Sequence, residues 1–250
     1  MAVDIVPQLN ERISVSFTKY TMSDRELMRI TTRIRDGTAT LVDGHTYSKR
    51  IGQHLSRALT ENLTEEALPD GRLYYNIANR TVIPQLLNNY ELVNEINASI
   101  QAEIDKAQNI RIKAVKAAFP EKRIKGLIDE MTKDGIEYSD AKKWLEEPIV
   151  NNTEAFHDDY IKKNAEFRES VGLKAVIIRD ASSGCCDWCA DLEGTWDYAS
   201  APKEIFQRHE FCRCDVTYQT ERKSQNVWSK RSWESSQEEI NKRINYGKGE

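Results

Sequence analysis

Six residues near the C-terminal end of the chain have types and spacing suited to holding a metal ion: Cys185-Cys186-x2-Cys189, then His209-x2-Cys212-x-Cys214. All five cysteines of the 250-residue sequence fall between Cys185 and Cys214, so soft ligands are absent elsewhere. Cys186-Asp187-Trp188-Cys189 has the spacing of a zinc knuckle, in which one tight turn aims two sulfurs at one ion. His209-Glu210-Phe211-Cys212 repeats that spacing with an imidazole in place of one thiolate. Tetrahedral zinc takes four ligands. Cys186, Cys189 and His209 are expected to supply three, with Cys212 or Cys214 completing the shell and Cys185 packing as a small buried side chain. Two other readings of the same residues are a metal-free cluster packed between strands and a redox pair at Cys186 and Cys189. The redox reading lacks the βαβ surroundings of thioredoxin-like motifs.

Catalytic partners for such a metal are harder to find. A closed four-ligand shell is structural, whereas catalytic zinc keeps a position open to water. Glu210, Asp191 and Glu193 lie near the half-sites, but the zinc-deaminase order of H-x-E before P-C-x-x-C is not met. H-E-x-x-H, Walker and G-x-S-x-G patterns are missing, and His45, His54 and His157 are scattered along the chain. The expectation is therefore a structural Zn2+ and no catalytic residues.

These residues must be positioned by the elements around them. The first 170 residues read as mostly helical. Ser23-x-x-Glu26 has the form of a capping box before Leu27, Ile30 and Ile34, with Gly37 as the stop. A second helix is expected over Ser48 to Leu63, then a turn at Pro69-Asp70-Gly71. The longest runs from about Gln85 to Ala118, with Leu92, Ile96, Ile100 and Ile104 as its apolar stripe and Pro84 in its first turn. Shorter helices are expected over Ile124 to Lys133 and, capped by Ser139, through Trp144 and Leu145 to Pro148. Asn151-x2-Glu154 opens another, ended by Gly172. At Leu173 the pattern changes to a β-branched apolar run through Ile178, as in a buried strand. Further strands are expected at Gly194–Tyr198 and Asp215–Gln219, with a helical turn over Pro202 to Arg208 between them.

The fold class is thus α+β: a helical region, residues 1–138, suited to docking a partner; a zinc-stapled β-containing module, 139–220; and a polar tail, 221–250. A length of 250 residues is enough for a sizeable core, and 39% hydrophobic with 30% charged residues suits a water-exposed surface. Neither a spanning apolar run nor a leading secretion signal is apparent, so a membrane role is not expected. A formal net charge of −4 argues against coating nucleic acid as the main task.

The stretch Arg179-Asp180 … Cys185-Cys186-Asp187-Trp188-Cys189 … Gly194 … Pro202 … Arg208-His209-Glu210-Phe211-Cys212-Arg213-Cys214 resembles the C-terminal module of the phage head morphogenesis (Mu F-like) minor capsid proteins. In that family a C-x2-C, a glycine shortly after it and a terminal H-x2-C-x-C recur in this order. The likeness covers Asn164 to Tyr218, 55 of the 250 residues. Glu210 and Phe211 stand where many members have proline after the histidine and asparagine before the next cysteine, a departure that removes no ligand. The resemblance implies a low-copy structural protein of the virion, in the capsid interior and assembled in the host cytoplasm. Its implied partners are portal, scaffold and capsid proteins, and some members leave the head with the DNA. Appended catalytic domains occur in some members, but the residues after Tyr218 are expected to be too few for one. The alternative is a zinc-dependent nucleic-acid-binding module contacting packaged DNA. Arg222, Lys223, Lys230, Arg231, Lys242 and Arg243, interleaved with Trp228 and Trp233, would supply its charge and stacking, although nearby glutamates nearly cancel that charge.

Overall fold

The computed structural model describes residues 4–182, 184–209 and 211–221, with Glu221 described by its backbone alone. The basic and aromatic tail residues of the nucleic-acid reading lie outside the described residues. The class is α+β: eight α-helices and one three-stranded antiparallel sheet are described.

Helix α1 (Val6–Ser23) places Val6, Leu9, Ile13 and Phe17 on one buried face at helical spacing. Ser23 closes α1, its hydroxyl donating back to the Lys19 carbonyl. The expected Ser23 cap is therefore displaced by one residue. Helix α2 (Arg25–Arg35) is capped by Asp24, whose carboxylate accepts from the amides of Glu26 and Leu27. Helix α3 (Leu41–Asn62) starts seven residues before the expected Ser48, because Thr40 and Asp43 form a reciprocal capping box there.

Helix α4 (Tyr75–Ala107) departs most from expectation, since Pro84 lies inside it and it ends well short of Ala118. Proline removes the amide that would bond the Arg80 carbonyl one turn back. Asn10 of α1 supplies the missing donor, its Nδ2 lying 3.0 Å from the Arg80 oxygen. An interhelical hydrogen bond thus stands in for an intrahelical one.

Helices α5 (Glu121–Met131) and α6 (Tyr138–Lys143) follow, and α6 begins after Glu137, not at a Ser139 cap. Helix α7 (Glu147–Ser170) opens with Pro148 in its first turn, four residues before the expected Asn151 start. Strands β1 (Lys174–Asp180), β2 (Gly194–Asp197) and β3 (Asp215–Glu221) are ordered β2-β1-β3. A five-residue helix α8 (Asp187–Asp191) and a 3-10 turn at Lys203–Phe206 lie in the connections.

Two apolar cores share α7. The larger joins α1, α3, α4, α5 and α6 to Phe156 of α7. The second surrounds Tyr160, Ile161 and Ala165 of α7 with Ala175 and Ile177 of β1, Val216 and Tyr218 of β3, Ala39 of the α2–α3 connection, Leu41 of α3 and Ile100 of α4. The residues read separately as docking region and module therefore share one packed interior. Glycines let α3 approach α4 at Gly44 and α7 at Gly52. A Cβ on Gly44 would sit 2.2 Å from Asn97 Oδ1, and one on Gly52 would meet the Val150 Cα at 3.1 Å.

Polar groups inside this interior are tied in pairs and chains. Arg168 of α7 grips Asp105 of α4 through two bonds of 2.9 and 2.6 Å and donates to the Tyr218 hydroxyl at 2.8 Å. Tyr218 donates to Gln101, and Gln101 donates to Asp105, closing a ring across α4, α7 and β3. His157 lies 3.0 Å from both Asn97 Oδ1 and the Val216 carbonyl, bridging α4 and β3.

Candidate metal centre

Sheet register decides where the cysteines go. Arg179 pairs with Gly194 across β1–β2, and Asp180 pairs with Asp215 across β1–β3. The end of β1 and the starts of β2 and β3 therefore lie at one edge of the sheet. The connection from β1 to β2 carries Cys185, Cys186 and Cys189; that from β2 to β3 carries His209, Cys212 and Cys214. Both half-sites are delivered to the same edge.

In the first connection Cys186 is the residue before α8, and Cys189 is buried inside that helix. In the second, the Cys212 amide donates to the His209 carbonyl, making a tight turn. Phe211 takes a left-handed φ of 60° there, which costs an L-residue roughly 1–2 kcal/mol. Its side chain is 64% exposed, so burial of the ring does not offset that strain. Three contacts pin this turn to α7. Asn151 donates to the His209 carbonyl at 2.9 Å, Arg208 clasps buried Asp158 through two hydrogen bonds, and Arg213 forks onto Glu147 at 2.5 and 2.8 Å. Burial opposes the Arg208 charge, but Asp158 and then Glu154 more than compensate, so its pKa is raised.

The side chains of both half-sites converge. His209 Nε2 lies 3.3 Å from Cys186 Sγ and 3.1 Å from Cys189 Sγ; Cys189 and Cys212 sulfurs are 3.8 Å apart. Ligand atoms of Cys186, Cys189 and His209 lie within 4.8 Å of one another, as do those of Cys189, Cys212 and Cys214. Cys189 is common to both groups. Zinc bond lengths of about 2.3 Å to sulfur and about 2.05 Å to nitrogen imply tetrahedral edges of about 3.8 Å between sulfurs and about 3.6 Å from sulfur to nitrogen. The Cys189–Cys212 separation equals the sulfur edge, and the two His209–sulfur separations are shorter than the mixed edge. The donor set, in two groups of three joined at Cys189, is of a kind that can hold a metal ion. Cys185 is partly buried beside the cluster.

The buried thiols differ in their electrostatics. Burial pushes the Cys189 thiol up to about 12, with the adjacent Cys214 and Cys212 sulfurs adding to the rise. A bound cation is the ordinary means of holding such a thiol as a thiolate. Burial also opposes ionisation of Cys214, but the Ser182 amide and the neighbouring thiols bring its pKa below the usual value.

Around this centre are residues to which the sequence reading gave no role. Arg179 is 1% exposed and lies directly under the sulfurs. Its signal was legible: Ala175, Ile177 and Arg179 share one face of β1 by alternation, and a charge on the face of an apolar strand needs a reason. Trp188 packs edge-on to His209 at 5.8 Å and stacks on Arg179 at 5.5 Å. Glu147, Asn151 and Asp158 carry no pattern that marks them as anchors.

The scattered histidines resolve differently. His54 lies 2.6 Å from Asp24, at the α2 cap. His45 and His157 are buried with ring centroids 5.6 Å apart. His45 sits 3.4 Å from Glu154 and 3.5 Å from Asp215, yet burial lowers its pKa to about 3, so it is neutral there. Burial likewise raises Asp215 to about 7, with Asp158 adding repulsion. This polar pocket joins His45 of α3 and Glu154 of α7 to Asp215, the first residue of β3, and shares Glu154 with Arg208 beside the His209 turn.

Beside His209 runs an open groove of about 670 Å³ between α5, α7 and the 203–209 segment. Arg123 and Asp159 on its wall pair with each other at 3.0 Å. No helix among the described residues is long and apolar enough to cross a membrane. Comparison with protein-family models, with curated proteins and with solved structures gives no match.

Proposed function

We propose that this chain is a structural minor head protein of a tailed phage or prophage, present in few copies within the capsid and associated with portal or scaffold during assembly. The observation that carries the reading is the order C-C-x2-C, Gly, H-x2-C-x-C together with the convergence of those side chains at one sheet edge. In this reading the metal is zinc and its role is a staple. It ties the β1–β2 and β2–β3 connections together and fixes the turn that rests on α7. Four protein ligands leave no open position for water, so the reading includes no catalytic role. The shared α3–α4–α7 interior makes the helical part a rigid base for a partner surface, not a tethered arm.

Two measurements test it. Metal analysis of the purified full-length chain should give one zinc per molecule, lost in a Cys186→Ser, Cys189→Ser double variant. Deletion of the gene from the phage or prophage that encodes it should give defective heads, and the protein should co-purify with the portal. Normal yields of fully infectious particles after deletion would sink the assembly role, whatever the metal content.

A further inference from the structure

Arg179 is a fully buried cation with no carboxylate partner among the described residues within ion-pair distance. One terminal nitrogen, Nη1, donates to the carbonyls of Ile205 and Gln207. The other, Nη2, faces sulfur, donating to Cys189 Sγ at 3.7 Å and Cys212 Sγ at 3.9 Å. Guanidinium stays charged in proteins, and a buried charge costs several kcal/mol unless something compensates it. Cys189 and Cys212 are the groups placed to do so.

From this we infer that Arg179 is the counter-ion of the metal shell and marks Cys212 as its fourth ligand. The inference rests on the zinc reading above. A zinc ion with three thiolates and one neutral imidazole carries one net negative charge, which a single guanidinium neutralises. A shell of four thiolates would carry two and leave one unmatched. The Arg179 fork touches the central sulfur shared by both half-sites and one sulfur of the second half-site. That second sulfur belongs to Cys212, at a tetrahedral edge length from Cys189. Cys214 then packs against the shell without joining it. Arg179 is a positioning residue in this scheme: its carbonyl bonds hold the 205–207 segment, while its sulfur bonds orient two ligands and stabilise their charge.

The test uses the full-length chain loaded with zinc or with cobalt. Arg179→Gln should lower zinc affinity by roughly 10–100-fold in chelator competition, the range for losing an outer partner of a ligand. It should also shift the sulfur-to-cobalt charge-transfer band, which a purely packing role would leave in place. Cys212→Ser should lose the metal, and Cys214→Ser should keep one ion per chain. Wild-type affinity and an unmoved band in Arg179→Gln would overturn the counter-ion role. Metal retained in Cys212→Ser but lost in Cys214→Ser would overturn the ligand choice. Should Arg179→Gln not fold, Arg179→Lys decides. It keeps the charge without the fork, so its band should move while affinity falls less, and an unmoved band with wild-type affinity overturns the proposal. A wild-type chain that binds no metal would instead remove the zinc reading beneath it.

Discussion

Asp105→Asn removes one charge from the Arg168–Asp105 pair at nearly constant shape. The two side chains are 1% and 4% exposed, so the guanidinium left behind would stay buried without its carboxylate. Breaking a buried pair from one side costs about 3–5 kcal/mol. Gln101 and Tyr218 are already committed to the same ring and offer no new negative charge. For a chain of this size each kcal/mol lowers the melting temperature by about 2–4 °C, so a fall of roughly 6–20 °C is expected. Urea unfolding followed by circular dichroism, at fixed zinc, should show a lower midpoint with an unchanged slope. The decisive companion is Asp105→Leu with Arg168→Met, which removes both charges. Replacing a buried pair by apolar side chains is often neutral, so the double variant should recover most of the loss. A single variant within about 1 kcal/mol of wild type, or a double variant no better than the single, would refute the reasoning.

Three further outcomes follow from local geometry. Gly44→Ala should destabilise by about 1–3 kcal/mol, because its methyl would fall 2.2 Å from Asn97 Oδ1 at the α3–α4–α7 junction; an unfolding midpoint equal to wild type would contradict that packing. Phe211→Gly should stabilise the folded chain by about 1 kcal/mol, since glycine adopts a φ of 60° without strain, and chemical denaturation reads this directly. Asp215→Asn should gain on wild type as pH rises. With a folded pKa of about 7 against an ordinary 3.8, the wild-type carboxyl contributes stability below pH 3.8 that is lost as pH climbs through 7. The difference between the two proteins should therefore grow by about 1.4 kcal/mol per pH unit across that window and then level off. A difference independent of pH would show that Asp215 titrates normally.

The three strands and the convergence of both half-sites were legible because their signals are local: β-branched runs, turn residues and a spacing that zinc imposes. Helix boundaries were less so. Asp24 outcompetes Ser23 as a cap because its carboxylate accepts two amides at once. Pro84 sits inside α4 because Asn10, 74 positions earlier in the chain, takes over its missing bond. Helix α1 escaped notice although its apolar spacing is regular. The pairings of Arg208 with Asp158 and Arg213 with Glu147 depend on which elements meet, and no spacing within one segment encodes that. Arg179 was visible as an anomaly, but its sulfur partners only became apparent once the strand register was known.

The sharing of α7 between two cores also bears on the order in which the chain can fold. Ala39, Leu41 and Ile100 are buried by residues 160–218, which leave the ribosome far later. Closing that core requires contacts separated by more than a hundred positions, and such contacts slow folding. A nascent chain that has reached only α6 holds an apolar face with nothing to cover it, the kind of surface that aggregates or recruits chaperones. The cysteine-bearing connections follow helices α1 to α7 in the chain, and the core beneath them closes only when β3, beyond Cys214, supplies Val216 and Tyr218.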